Sequence, residues 1–117
     1  MKTTFYLSIL IVALFSINSV NAFAGDTVKE AEFKVSGICG MCKSRIEKTM
    51  KISEVKFSKW DKTSKMLKVA YLSDKITSDS LQQRIASVGH DTEKFKATDE
   101  AYNNLPGCCL YRTGKSH

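Results

Sequence analysis

Residues 33–48 read FKVSGICGMCKSRIEK, and this stretch decides the fold because three kinds of local order meet in it. Upstream, residues 30–36 alternate. Ala31, Phe33 and Val35 fall on one side, and Glu30, Glu32, Lys34 and Ser36 on the other. That period of two is the mark of a strand with one face buried. Gly37 ends the alternation, and ICGMC follows as a tight loop. From Met41 or Cys42 to about Met50 the residues are good helix formers. Ile46, Thr49 and Met50 share a face with Cys42 one turn earlier, while Lys43, Arg45, Glu47, Lys48 and Lys51 fall on the side expected to be wet. A strand thus gives way to a helix through a loop that carries two thiols.

Working outward, residues 25–29 read as a polar lead-in. Residues 53–60, SEVKFSKW, read as a second strand. Val55 and Phe57 give one inward parity and Trp60 the other, which points to a bulge or an edge position. Asp61 to Ser64 form a turn, and Lys65 to Leu72 a third strand with Leu67, Val69 and Tyr71 on one face. Thr77 is placed to cap a second helix, with Ile76 and Leu81 as a hydrophobic staple, Ile85 and Val88 continuing the apolar face and Gly89 as the stop. Residues 91–97, DTEKFKA, give a polar fourth strand suited to a sheet edge. Thr98 or Asp99 caps a short helix over 100–104, and Pro106-Gly107 breaks it ahead of Cys108-Cys109. The order βαββαβ predicts an α+β, ferredoxin-like sandwich with two helices on one face of an antiparallel sheet, followed by a short helical and cysteine-bearing tail.

The ends of the chain set its context. Lys2, the apolar run from Phe5 to Ile17 and the small-residue site Ala22-Phe23-Ala24 form the three parts of a secretory signal peptide. The run is shorter than the roughly 18–20 residues that span a bilayer. Residues 1–24 are therefore expected to be cleaved, leaving 25–97 as the domain and 98–117 as the tail, without stable membrane insertion. The chain is therefore expected to be exported, and periplasmic if its source is a Gram-negative bacterium. Removing one lysine from a net charge of +6 leaves +5. On an exported monomer this basic surface suits an acidic protein patch or an anionic membrane rather than nucleic acid, with a plain solvated surface as the competing reading.

Four cysteines, Cys39, Cys42, Cys108 and Cys109, carry the chemistry. Cys39 and Cys42 stand where the positive end of a helix, Lys43 and Arg45 all favour thiolate. Two thiolates with few further ligands suit a soft ion, copper(I) or mercury(II). A zinc site wants four ligands and becomes a candidate only if all four thiols converge. The Cys108-Cys109 pair has three readings: it joins the first site, forms disulfides with it in the absence of metal, or binds a second ion alone. A disulfide within the pair is disfavoured, because adjacent Cα atoms lie near 3.8 Å and disulfides prefer roughly 5.5–6 Å. Tyr102 and Leu105 read as residues that pack the tail. The two histidines and scattered acids form no catalytic set, so no enzyme is expected. The rival reading is a thiol–disulfide oxidoreductase using the CxxC pair. Against it, Ile38 rather than an aromatic residue precedes Cys39, and the one proline, Pro106, opens no core strand.

The stretch FKVSGICGMCKSRIEK resembles the metal loop of heavy-metal-associated domains, a family that includes copper chaperones, modules of metal-pumping ATPases and periplasmic mercury-binding proteins. The resemblance covers about residues 29–97. It implies a ferredoxin-like fold, Cys39 and Cys42 as ligands of a carried metal ion, and a metal-transporting membrane protein or another metal-binding domain as partner. The chain has Gly37-Ile38 before the first cysteine where the family has Gly, Met and one more residue. In this topology the loop holding Gly89-His90 lies at the same end as the thiols. His90 is thus a candidate third ligand or proton donor, with an exposed loop histidine as the competing reading.

Overall fold

The computed structural model describes residues 27–113. The expected signal peptide and its cleavage site lie outside them. Among the described residues no helix is long and apolar enough to cross a membrane. The elements are β1 (Val28–Lys34), α1 (Gly40–Thr49), β2 (Val55–Trp60), β3 (Met66–Leu72), α2 (Ser78–Ser87) and α3 (Asp99–Asn103), with 3-10 turns over Gly107–Cys109 and Tyr111–Thr113. The three strands form an antiparallel sheet in the order β1-β3-β2, and the chain is α+β as expected. The first strand begins within the supposed lead-in, because Val28 and Lys29 pair with Leu72 and Tyr71.

Register explains which side chains are inside. Phe33 pairs with Leu67 and Ala31 with Val69, so the inward residues of β1 and β3 share one face. On β2 the register shifts between Val55 and Phe57. The extra residue reverses the parity: Val55 pairs with Tyr71 and Trp60 with Leu67, both core-facing, while Phe57 pairs with Ala70 and is turned out to solvent. The sequence conflict between Phe57 and Trp60 is thus resolved by a bulge. Phe33, Val35, Trp60, Leu67, Val69 and Tyr71 then meet Ile46 and Met50 of α1 and Leu81 and Ile85 of α2 in a single core.

The helix boundaries follow their caps. The Thr77 hydroxyl accepts from Ser80 N–H at 3.1 Å and the Thr98 hydroxyl from Ala101 N–H at 3.1 Å. Each such cap contributes about 1 kcal/mol. Gly89, just past α2, has φ +105°, a conformation open to glycine and strained for other residues.

The fourth strand does not form. Residues 91–97 make one isolated bridge, Val35 to Thr92, plus Ser36 N–H to Asp91 C=O at 2.8 Å. Their polar side chains satisfy the backbone locally instead. Asp91 accepts from Ala97 N–H at 2.8 Å, Thr92 Oγ1 from Phe95 N–H at 3.1 Å, and Gln82 of α2 takes Lys94 N–H at 3.0 Å. Short side chains that offer such alternatives compete with the ladder.

The tail is docked. Tyr102 and Leu105 are buried in the core. Tyr111 donates its hydroxyl to Gly89 C=O at 2.6 Å and accepts from Asp91 N–H at 2.8 Å. Arg112 closes on Asp91 through Nη2 at 2.8 Å and Nε at 3.3 Å.

Candidate metal centre

The loop between β1 and α1 is held by Trp60. Its indole Nε1–H donates to Val35 C=O at 3.0 Å, and its backbone N–H donates to Glu47 Oε2 at 2.9 Å. Lys43 Nζ donates to Glu47 at 2.6 Å and to Trp60 C=O at 2.8 Å. Lys43 and Glu47, expected on the wet face, are half-buried stitches between α1 and β2. Gly37 passes directly over the indole: a Cβ there would lie 3.0 Å from two Trp60 ring carbons and 3.1 Å from Cys42 Cβ. The backbone can approach this closely because it carries no side chain.

Cys39 occupies the N-cap of α1 in extended geometry. Its Sγ lies 3.5 Å from Cys42 Sγ, 3.6 Å from Cys108 Sγ and 3.5 Å from Cys109 Sγ. The tail pair is separated by 3.9 Å. The 3-10 turn that follows Pro106 therefore returns both tail thiols to the loop that lies about seventy residues earlier in the chain. The sulfurs of Cys39, Cys108 and Cys109 all lie within 4.8 Å of one another. All four thiols are free. Cys42 and Cys109 are fully buried, whereas Cys39 and Cys108 are partly exposed. Cys42 Sγ faces the N–H of Ile38 at 3.5 Å.

The electrostatics are uneven across the four. Burial pushes the Cys39 thiol up, but the backbone N–H of Cys42 and contacts with Cys109, Cys42 and Cys108 outweigh it and bring it down to about 6. Burial, and then contacts with Cys42 and Cys39, push Cys109 well above the usual thiol range, against the pull of Arg45. Cys39 is thus the most acidic thiol of the cluster, while Cys108 donates its proton to the Met41 thioether. Arg45, expected in solvent, turns inward with Nη1 3.5 Å from Cys109 Sγ.

Two residues depart from expectation. His90 is fully buried, not an exposed loop residue. Its Nδ1 donates to Ser36 C=O at 2.8 Å and its ring stacks on Tyr111 at 5.7 Å. Because a carbonyl only accepts, the proton sits on Nδ1 and leaves a bare lone pair on Nε2, which has no hydrogen-bond partner among the described residues. Burial holds the imidazole below its ordinary value, and Arg45 adds to the drop against the Ser36 bond. His90 does not join the tight trio of sulfurs. Met41, which sequence reasoning treated only as part of the loop, presents its thioether 3.3 Å from the Cys108 thiol. Its place inside the CxxC loop was the available signal.

Beside the thiols, a groove of about 1000 Å3 runs between α1 and α2 toward α3. Arg45, Lys48, Lys51, Arg84 and Met41 line it, and among the described residues no acidic side chain does. Lys43 does not line it, being turned to the Trp60 carbonyl.

The sulfur spacing limits what can be bound. With a metal–sulfur bond near 2.3 Å, sulfurs lie about 3.8 Å apart around a tetrahedral ion, about 4.0 Å around a trigonal one and about 4.6 Å across a linear one. The 3.5–3.9 Å separations among Cys39, Cys108 and Cys109 are closer to those of three sulfurs sharing an ion than to two in line.

No protein-family model matches the chain, and no curated protein matches it. Among solved structures, the N-terminal domain of a potential copper-translocating P-type ATPase from Bacillus subtilis in the Cu(I)-loaded state is 26% identical with a TM-score of 0.54, covering 62% of this chain and 94% of that one. The CopZ metallochaperone is 24% identical with a TM-score of 0.52, covering 55% and 98%. Oxidized MerP from Ralstonia metallidurans CH34 is 17% identical with a TM-score of 0.54, covering 57% and 96%. The fold of this chain is that of the heavy-metal-associated domain, extended by a tail that carries two further thiols to the loop between β1 and α1.

Proposed function

We propose that the protein binds and carries a soft metal cation, copper(I) in the first place and mercury(II) as the alternative of the same chemistry. The observation that carries this reading is the position of Cys39. Its Sγ is within 3.6 Å of three other thiol sulfurs, one from its own loop and two from the distant tail. Cys39 and Cys42 hold the ion at the start of α1, and Cys109 completes a three-sulfur floor. Each thiol that binds loses its proton to solvent. The likeness to a Cu(I)-loaded ATPase domain and to a metallochaperone supports a carrier that exchanges ions with a transporter or another such domain. The cationic groove suits an acidic partner, whose approach it would accelerate more than it would tighten binding. The signal-like residues 1–24 support an exported protein, working in the periplasm if the source is a Gram-negative bacterium.

The test is copper(I) competition against a chromophoric chelator on reduced protein. Cys39→Ser is expected to lose at least ~100-fold in affinity, since it removes the sulfur shared by every contact and leaves a hard hydroxyl. An unchanged affinity would reject the assignment. Failure of the same protein to reduce insulin disulfides separates this reading from a thiol–disulfide oxidoreductase.

A further inference from the structure

The thiols do not end at a wall. Beyond Cys39 the sulfur chain continues through Cys108 at 3.6 Å to the thioether of Met41 at 3.3 Å. Five sulfurs thus form one branched cluster with Cys39 at its hub, running from buried Cys42 and Cys109 to Met41, which is 53% exposed. Three sulfurs suffice for one soft monovalent ion. The donor set therefore exceeds what a single ion can use, and the surplus is not randomly placed. We propose that the chain binds two soft monovalent ions. One lies on the floor formed by Cys42, Cys39 and Cys109, and the other at a lip formed by Cys108, Met41 and Cys39, whose thiolate bridges the two.

This rests on the carrier reading and extends it. The chemistry of the lip points to copper(I) or silver(I) in particular. A thioether is a neutral soft donor that hard divalent ions do not select, and a thiolate with two lone pairs to spare can bridge. Exposure orders the two ions. The lip ion is open to an incoming thiolate, while the floor ion is shielded by the core and by Arg45, whose Nη1 contacts Cys109. The lip ion is the one exchanged. Met41 is a surplus apolar side chain on the surface unless it serves as a ligand; its contact is with a thiol and not with the core.

Native mass spectrometry on reduced protein loaded with excess copper(I) and desalted reads the stoichiometry directly. The monomer is expected to carry two ions. Met41→Leu combined with Cys108→Ser is expected to carry one, with an unchanged unfolding midpoint for the metal-free protein. A weak chelator should remove the first ion from the wild type at least ~10-fold faster than the second. Saturation of the wild type at one ion overturns the proposal and leaves the carrier reading intact. Two ions retained in the double variant, or two ions seen in dimers alone, overturn it as well. No ion bound at all would overturn the carrier reading along with it.

Discussion

Replacing Arg112 by alanine should loosen the strap that delivers the tail thiols. The guanidinium donates Nη2 to Asp91 Oδ1 at 2.8 Å and Nε to Oδ2 at 3.3 Å, and Nη2 also reaches Ala97 C=O at 2.7 Å. It lies 4.4 Å over the Tyr102 ring. Both charged side chains are about one-fifth exposed, so screening is partial. Hydrogen bonds to charged groups contribute ~1.5–3 kcal/mol, and an exposed cation–π contact ~0.5–1 kcal/mol. The arm to Asp99 reaches a carboxylate that is 93% exposed and adds little. With a reduction for solvent on the outer side, the loss comes to ~2 kcal/mol. In a domain of this size each kcal/mol moves the midpoint by roughly 4–8 °C, so Arg112→Ala should melt about 8–16 °C lower when metal-free. Because Cys109 is buried only while the tail is docked, its reaction with a thiol reagent should also quicken in native buffer. A variant within ~0.5 kcal/mol of wild type, with unchanged thiol reactivity, would refute the claim that this ion pair holds the tail.

The same pair predicts acid sensitivity. Burial raises the Asp91 carboxyl, but Arg112 and the Ala97 N–H outweigh it and hold it below its ordinary value of 3.8. Its contribution is complete above about pH 4 and is lost as pH falls through the lower folded value. Urea midpoints measured from pH 6 down to 2 should fall less steeply at the acid end in Asp91→Asn than in wild type. Gly89→Ala forces φ +105° on a residue with a side chain and sets its Cβ 2.8 Å from Ala101 C=O and 2.9 Å from Leu105 Cγ. Denaturant unfolding should show a loss of ~2–4 kcal/mol. Trp60→Phe strands the buried Val35 carbonyl and should cost ~1–3 kcal/mol beyond packing, seen in the same assay.

What could be read from the sequence was what local chemistry decides. The alternation around Phe33 and Val35, the caps at Thr77 and Thr98 and the stop at Gly89 each depend on neighbours a few residues away. Phe57 and Trp60 showed that something irregular lay between them, though only pairing with β3 shows where the extra residue sits. Three matters depended on distant partners. The polar run after His90 looked like an edge strand until Asp91, Thr92 and Gln82 took its backbone groups. Arg45 and Lys43 looked wet because a helix wheel cannot see Cys109 or the Trp60 carbonyl. His90 looked exposed because Tyr111, which covers it, belongs to a tail whose path no pattern specifies. The candidate thiols were all visible. Their convergence was one of three open readings, and what decides it is Tyr102, Leu105, Tyr111 and Arg112 packing across the domain.

X-ray absorption at the copper edge of the reduced, copper(I)-loaded protein tests the shared-sulfur centre most directly. Three sulfurs at about 2.3 Å per ion, falling toward two when Cys108 and Cys109 are replaced by serine, is the predicted result. A two-sulfur linear ion in the intact chain, or a spectrum indifferent to the loss of both tail thiols, would contradict it.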